Sequence, residues 1–174
     1  AVPGLATDAY GLAVSANGAT LYTTNFNTGY IAAYNTIDGS PYFSPVLVGG
    51  GSSLSPLAIA LSGDGSTLFV TSAYDWSLRA FSASTGAAVL GWGTGGVVTA
   101  PSALFGIAVS GNRLFVANAA TIREYDASTG VLTNSAFATL PAGSNAAGLA
   151  LSGSNLFVTN QGTGSQVLAY TLSG

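Results

Sequence analysis

The sequence contains no cysteine, methionine, histidine or lysine, and each absence closes off a kind of chemistry. Without cysteine there is no disulfide framework and no thiolate metal site. Without histidine there is no Ser-His-Asp triad and no imidazole ligand, and without lysine no amine nucleophile. A chain lacking both cysteine and methionine has nothing easily oxidised, which suits a secreted, extracellular protein. Charge is equally scarce. Three arginines, five aspartates and one glutamate make up 5% of 174 residues and leave a net charge of −3, where an ordinary soluble domain carries about 25% charged residues. Such a balance offers no basic footprint for nucleic acid or an anionic membrane. No apolar run approaches the roughly 18 residues of a membrane-spanning helix. Yet 48% of the residues are hydrophobic, which speaks against disorder. No Asn-x-Ser/Thr sequon occurs, so N-linked sugar is not expected. The start at Ala1-Val2-Pro3 reads as a processed or trimmed end.

What is present is repetition. Four segments align: GLAVSANGATLYTTN (11–25), AIALSGDGSTLFVTS (58–72), GIAVSGNRLFVAN (106–118) and GLALSGSNLFVTN (148–160). Their equivalent leucines, Leu21, Leu68, Leu114 and Leu156, are 47, 46 and 42 residues apart. Each copy begins with a nearly all-apolar strand, of the kind buried on both faces near an axis. A tight hairpin follows at Asn17-Gly18 and Asp64-Gly65, then an aromatic and β-branched second strand. A third, alternating strand ends at Gly39, Gly86, Gly130 and Gly174. A weaker fourth strand is expected at 42–48, at 87–90 or 97–99, and at 131–133 or 137–140. Four antiparallel strands per repeat of this length predict an all-β fold, a β-propeller of four repeats. The repeats run over approximately 8–50, 54–100, 102–141 and 145–174, within a single domain. Gly11, Ala58, Gly106 and Gly148 let the first strands crowd together.

The ends of the second strands, Leu-Tyr-Thr-Thr-Asn25, Leu-Phe-Val-Ala-Asn118 and Leu-Phe-Val-Thr-Asn160, resemble the signature of YVTN/NHL-type β-propellers. The stretch Glu124-Tyr125-Asp126-Ala127-Ser128-Thr129-Gly130 is similar to that family's Tyr-Asp-x-x-Thr-Gly. The resemblance covers nearly the whole chain and implies a propeller, with secretion common among its members. Lactonases, binding modules and surface proteins share the fold, so it does not choose a function.

The fourth repeat reaches its third-strand turn at Gly174, so the last blade is expected to lack its outer strand. Three readings follow: a ring with a three-stranded last blade, a piece of a longer array, or a blade completed by a neighbour. Ala1 and Val2 are a stub for that closure. The bare edge Gln166-Val167-Leu168-Ala169-Tyr170 carries no charge, and exposed uncharged edges recruit other strands. A homo-oligomer, filament or layer is therefore the expected partner arrangement.

Of the acids, Asp38, Asp64 and Asp126 read as turn residues, and Glu124 as a cross-strand partner of Arg79 or Arg113. Asp8 and Asp75 fall in loops that a propeller opens onto one face, where a calcium site has weak support. That loop face also carries Tyr10, Asn25, Phe26, Asn27, Tyr74, Trp76, Asn118, Asn160 and Gln161. Its aromatics and amides suit a neutral glycan, a cell-surface polymer or a peptide. The repeated asparagines equally suit strand-end capping, and Trp92 reads as an anchor covering a blade. No catalytic residue, cofactor or metal is expected. The chain reads as a non-catalytic extracellular propeller, either structural or adhesive and self-assembling, or monomeric and ligand-binding.

Overall fold

The computed structural model describes residues 8–49 and 54–172 as fifteen strands without a helix. They form four antiparallel sheets that follow one another along the chain. The first holds β1 (Ala9–Val14), β2 (Thr20–Asn25), β3 (Tyr30–Asn35) and β4 (Pro41–Leu47). The second holds β5 (Pro56–Leu61), β6 (Thr67–Ser72), β7 (Ser77–Ser82) and β8 (Val97–Thr99). The third holds β9 (Leu104–Ser110), β10 (Arg113–Asn118), β11 (Thr121–Asp126) and β12 (Leu132–Thr139). The fourth has three strands, β13 (Ala146–Ser152), β14 (Asn155–Asn160) and β15 (Gln166–Thr171). Each sheet is a meander in chain order, the arrangement of a propeller blade. Ala1 and Val2, the expected closing stub, lie outside the described residues.

Turn chemistry sets the hairpins. Asn17 and Asp64 accept hydrogen bonds from the serines two residues before them, Ser15 and Ser62, at 2.7 and 2.6 Å. Gly18 and Gly65 then take positive φ, as a tight hairpin requires. The Ser62 and Ser66 hydrogen bonds hold the exposed Asp64 carboxyl down at about 2. Asp38 and Asp126 accept hydrogen bonds from Ser40 and Ser128 in the same way, as turn residues should, and these bonds lower their carboxyls too. The outer strands differ from one another. β4 carries Pro41 and Pro45, β8 has three residues, and β12 bridges both stretches expected in its repeat as one bulged strand.

Three hydrophobic cores lie between consecutive blades. Tyr22, Ile31, Ile59, Leu68, Val70 and Phe81 fill the first. Phe69, Leu78, Trp92, Ile107, Leu114 and Tyr125 fill the second. Phe115, Ile122, Leu140, Leu156 and Val158 fill the third. Each buried Leu, Phe or Val contributes about 1.5–3 kcal/mol, so the cores bind the blades together. Trp92 covers the seam between blades 2 and 3, with its ring 5.6 Å from that of Phe69 and its Nε1 donating to the Ala127 carbonyl at 2.9 Å.

First strands pack in succession, β1 on β5, β5 on β9 and β9 on β13, and no comparable packing joins β13 to β1. The expectation that every first strand is buried on both faces therefore holds only in the middle of the chain. β5 and β9 are covered on both sides, whereas β1 and β13 alternate between covered and exposed residues. The reason is positional. Among the described residues nothing covers the forward side of β13, facing away from blade 3, whereas on the back of blade 1 Leu12 and Val14 are exposed but Thr23, Ala32 and Tyr34 are buried.

Candidate functional site

The loop face is built where β1, β5, β9 and β13 begin and where each second strand turns into its third. The first strands approach closely there. A β-carbon on Gly11 would meet the Leu57 carbonyl of the next blade, and one on Gly106 would meet the Ala147 carbonyl. Only glycine permits this contact. A concave cavity of about 390 Å³ opens beside them, lined by Tyr10, Gly11, Ala58, Phe105, Gly148 and Gln161 among others. Its walls are mostly apolar side chains and strand backbone, so among the described residues it offers space and hydrogen-bonding carbonyls but no carboxylate or cationic side chain.

Threonines stitch this region. Thr24 Oγ1 accepts from the Gly11 amide at 2.8 Å and donates across the blade boundary to the Leu57 carbonyl at 2.8 Å. Thr71 repeats the device with the Ala58 amide at 3.1 Å and the Phe105 carbonyl at 2.7 Å. These residues are invisible to a search for chemistry; the shared Gly or Ala and the threonine opposite it are the only signal.

The sequence-selected residues separate into two kinds. Asn25, Asn118 and Asn160 are buried, and their amides are engaged locally. Asn25 Oδ1 accepts from the Thr28 amide at 2.9 Å. Asn118 Nδ2 donates to Ser102 and to the Ala103 carbonyl. Asn160 Oδ1 accepts from the Asn145 and Gly162 amides at 2.9 and 3.0 Å. These are strand-end caps. Tyr10, Tyr74 and Trp76 are instead exposed, as are Asp8, Asn27 and Gln161. Tyr10 lies against Phe26 with ring centroids 5.7 Å apart.

Asp75 is half-buried and engaged. Ser77 Oγ donates to it at 2.7 Å, and Arg79 Nη2 pairs with it at 2.7 Å. Burial pushes its carboxyl up, but the Arg79 and Ser77 hydrogen bonds outweigh burial and hold it below 3.8. Asp8 and Asp75 join no group of three or more acidic side chains able to hold a metal among the described residues. Glu124 pairs with Arg113, whose Nε and Nη2 reach its two carboxylate oxygens at 2.7 and 3.0 Å.

At the far end, Gln166–Thr171 forms β15, which pairs with β14 and leaves its other edge open among the described residues. Gln166, Val167 and Ala169 are exposed, and Leu168 and Tyr170 pack back onto the third core.

No family model and no curated protein sequence matches the chain. Solved structures do match it. BamB from Moraxella catarrhalis aligns over 95% of this chain and 47% of its own, at 15% identity and a TM-score of 0.67. Kuenenia stuttgartiensis hydrazine synthase aligns over 99% and 50%, at 17% identity and 0.76. The U3-55K structure aligns over 98% and 54%, at 14% identity and 0.72. These likenesses establish the β-propeller fold. The chain spans about half the length of the structures it matches.

Proposed function

We propose that this chain is a non-catalytic, extracellular propeller scaffold, structural or adhesive, that works by assembling with copies of itself. One observation carries the reading. Blade 4 exposes to solvent the apolar face that the other blades bury, including Phe157 and Val167, and β1 adds the exposed Leu12 and Val14. Contiguous exposed apolar surface marks an interaction site. Three arginines and six acids leave little charge to keep copies apart. The missing histidine, lysine and cysteine support the absence of catalysis.

Light scattering on the purified chain tests it. Self-assembly gives a mass that rises with concentration above the 17.1 kDa of one chain. A constant 17.1 kDa would sink the proposal.

A second reading rests on the loop face. The exposed Tyr10, backed by the half-buried Phe26, and the exposed Tyr74 and Trp76 offer aromatic rings of the kind on which a glycan or peptide stacks. Replacing Tyr74 and Trp76 with alanine then abolishes binding in a glycan or peptide screen while leaving the solution mass unchanged.

A further inference from the structure

We infer that the cavity beside the first strands is a binding site for a neutral sugar. This deepens the ligand-binding reading of the loop face and rests on it. It adds the seat, the groups that meet the ligand and the ligand's chemical class.

Backbone packing makes the seat. Where β1 meets β5 and β9 meets β13, glycine stands at the contact, because a β-carbon on Gly11 would collide with the Leu57 carbonyl and one on Gly106 with the Ala147 carbonyl. The strands converge without side chains between them, and Gly11, Ala58, Gly106 and Gly148 leave open the space that larger residues would fill. Its volume of about 390 Å³ falls within the roughly 300–1,000 Å³ of small-ligand sites.

The polar groups that line it are neutral and partly unspent. Thr24 and Thr71 each carry a hydroxyl across a blade boundary, to the carbonyls of Leu57 and Phe105. At the next boundary Ala117 takes the place of those threonines, so the Ala147 carbonyl receives no such hydroxyl. Thr159 Oγ1 accepts from the Gly148 amide at 2.7 Å, while its own proton finds no acceptor closer than the Gly148 carbonyl at 3.5 Å among the described residues. Gln161 is held through its backbone, whose amide donates to the Asn145 carbonyl at 2.9 Å. Its side-chain amide has no partner among the described residues, and the residue is exposed.

Tyr10 supplies an aromatic wall. It is 67% exposed, and Phe26 backs its ring with centroids 5.7 Å apart. The Phe26 amide in turn donates to the Asp8 carbonyl at 3.4 Å, which ties the two segments together. Leu57 and Phe105 add apolar surface. A sugar ring matches this set. Its C–H face packs on an aromatic ring, and each of its hydroxyls can donate to a carbonyl and accept from an amide. No arginine, aspartate or glutamate lines the cavity among the described residues, so a charged sugar would be desolvated there without a counter-ion.

Amide chemical shifts read the site directly. The probes are neutral hexose disaccharides, their uronic-acid counterparts and short neutral peptides, each titrated into the isotopically labelled chain. Neutral sugars are expected to shift the amides of Gly11, Gly106 and Gly148 and to leave those of Tyr74 and Trp76 in place. The acidic counterparts bind about tenfold more weakly, for want of a counter-ion. Tyr10→Ala and Gln161→Ala each raise the dissociation constant about tenfold, and Tyr10→Phe, which keeps the ring, retains most of the affinity. Both positions are exposed in the folded chain, so the variants keep the melting temperature of the parent.

Several outcomes overturn the inference, and each leaves something different standing. Shifts centred on Tyr74 and Trp76 keep a glycan-binding loop face and remove the cavity from it. Affinity unchanged in both Tyr10→Ala and Gln161→Ala places the sugar on other groups. Equal affinity for neutral and acidic sugars refutes selection of a neutral ligand. A peptide that shifts the glycine amides where no sugar does keeps the cavity and refutes the sugar. Amides silent to sugars and peptides alike remove the ligand-binding reading together with the cavity, and leave self-assembly untouched.

Discussion

Among the described residues, three other than glycine hold positive φ: Asp8 at 65°, Trp76 at 55° and Ala119 at 52°. For residues with a β-carbon this region costs about 1–2 kcal/mol. Ala119 sits in the two-residue turn between β10 and β11, where glycine or asparagine is the ordinary choice. Ala119→Gly is expected to raise stability by up to about 1 kcal/mol in chemical denaturation, since only a methyl group is lost. Trp76 is more telling, because a bulky ring is held in the same strained state while half exposed. Trp76→Gly is expected to leave the melting temperature unchanged or raised. If that variant also loses a glycan or peptide ligand, the strain is held for binding; a large fall in melting temperature would make the ring a packing element instead. Asp75 gives the acid response at this scale. Its folded-state carboxyl lies below 3.8, so its contribution is present above pH 4 and is lost as pH falls through the lower folded value. Asp75→Asn removes that contribution. The stability gap between the native chain and the variant, about 1 kcal/mol at neutral pH, is expected to narrow below pH 4. A gap constant from pH 7 to pH 2 would show that the Arg79 pair contributes nothing.

Among the elements, β10, β11 and the end of β15 are tied by one side chain. Arg113 forks onto Glu124, donates through Nη1 to the Leu172 carbonyl at 2.6 Å, and lies over the rings of Phe115 and Phe137 at 5.0 and 5.3 Å. Lysine matches the charge but neither the fork nor the planar stacking. Arg113→Lys is expected to cost about 1–2 kcal/mol in urea denaturation, discounted because the guanidinium is about one-third exposed. An unchanged midpoint would reduce the cluster to a surface ion pair. Sequence patterning located the first, second and third strands because hairpin chemistry and alternation act over a few residues, as at Asn17-Gly18 and Leu68 to Thr71. It left the outer strands undecided. The third-strand partner in blade 2 lies beyond the Gly-rich 91–96 segment, at Val97–Thr99, with Ala88 making a single bridge to Phe81. Nothing local distinguishes these two segments; pairing with β7 does. The asparagines were ambiguous for a similar reason, since an amide that caps a strand end and one that meets a ligand are the same residue type. Burial alone separates Asn118 from the exposed Tyr74.

For the whole molecule, the repeat determines the blade but not the curvature of the array, which depends on how entire faces pack. That is why the exposed Leu12 and Val14 of β1 and the uncovered front of blade 4 were not legible in the sequence. The second strands offer a measurement with an internal control. β2, β6, β10 and β14 each pair on both sides within their own blade. Their backbone hydrogen bonding is equivalent, but β6 and β10 lie between two cores and β2 and β14 border one. Amide exchange follows local opening. At high dilution, amides of β6 and β10 are therefore expected to exchange at least tenfold more slowly than those of β14, whose forward side chains are exposed. Equal exchange in all four strands would mean that blades are stabilised internally rather than by their neighbours. As concentration rises and copies assemble, β14 should slow towards the rates of β6 and β10, with the inner pair changing least. Slowing confined to β15 would instead assign the joint to the open strand edge, because only strand addition there would protect that edge while leaving the uncovered face of blade 4 as it was.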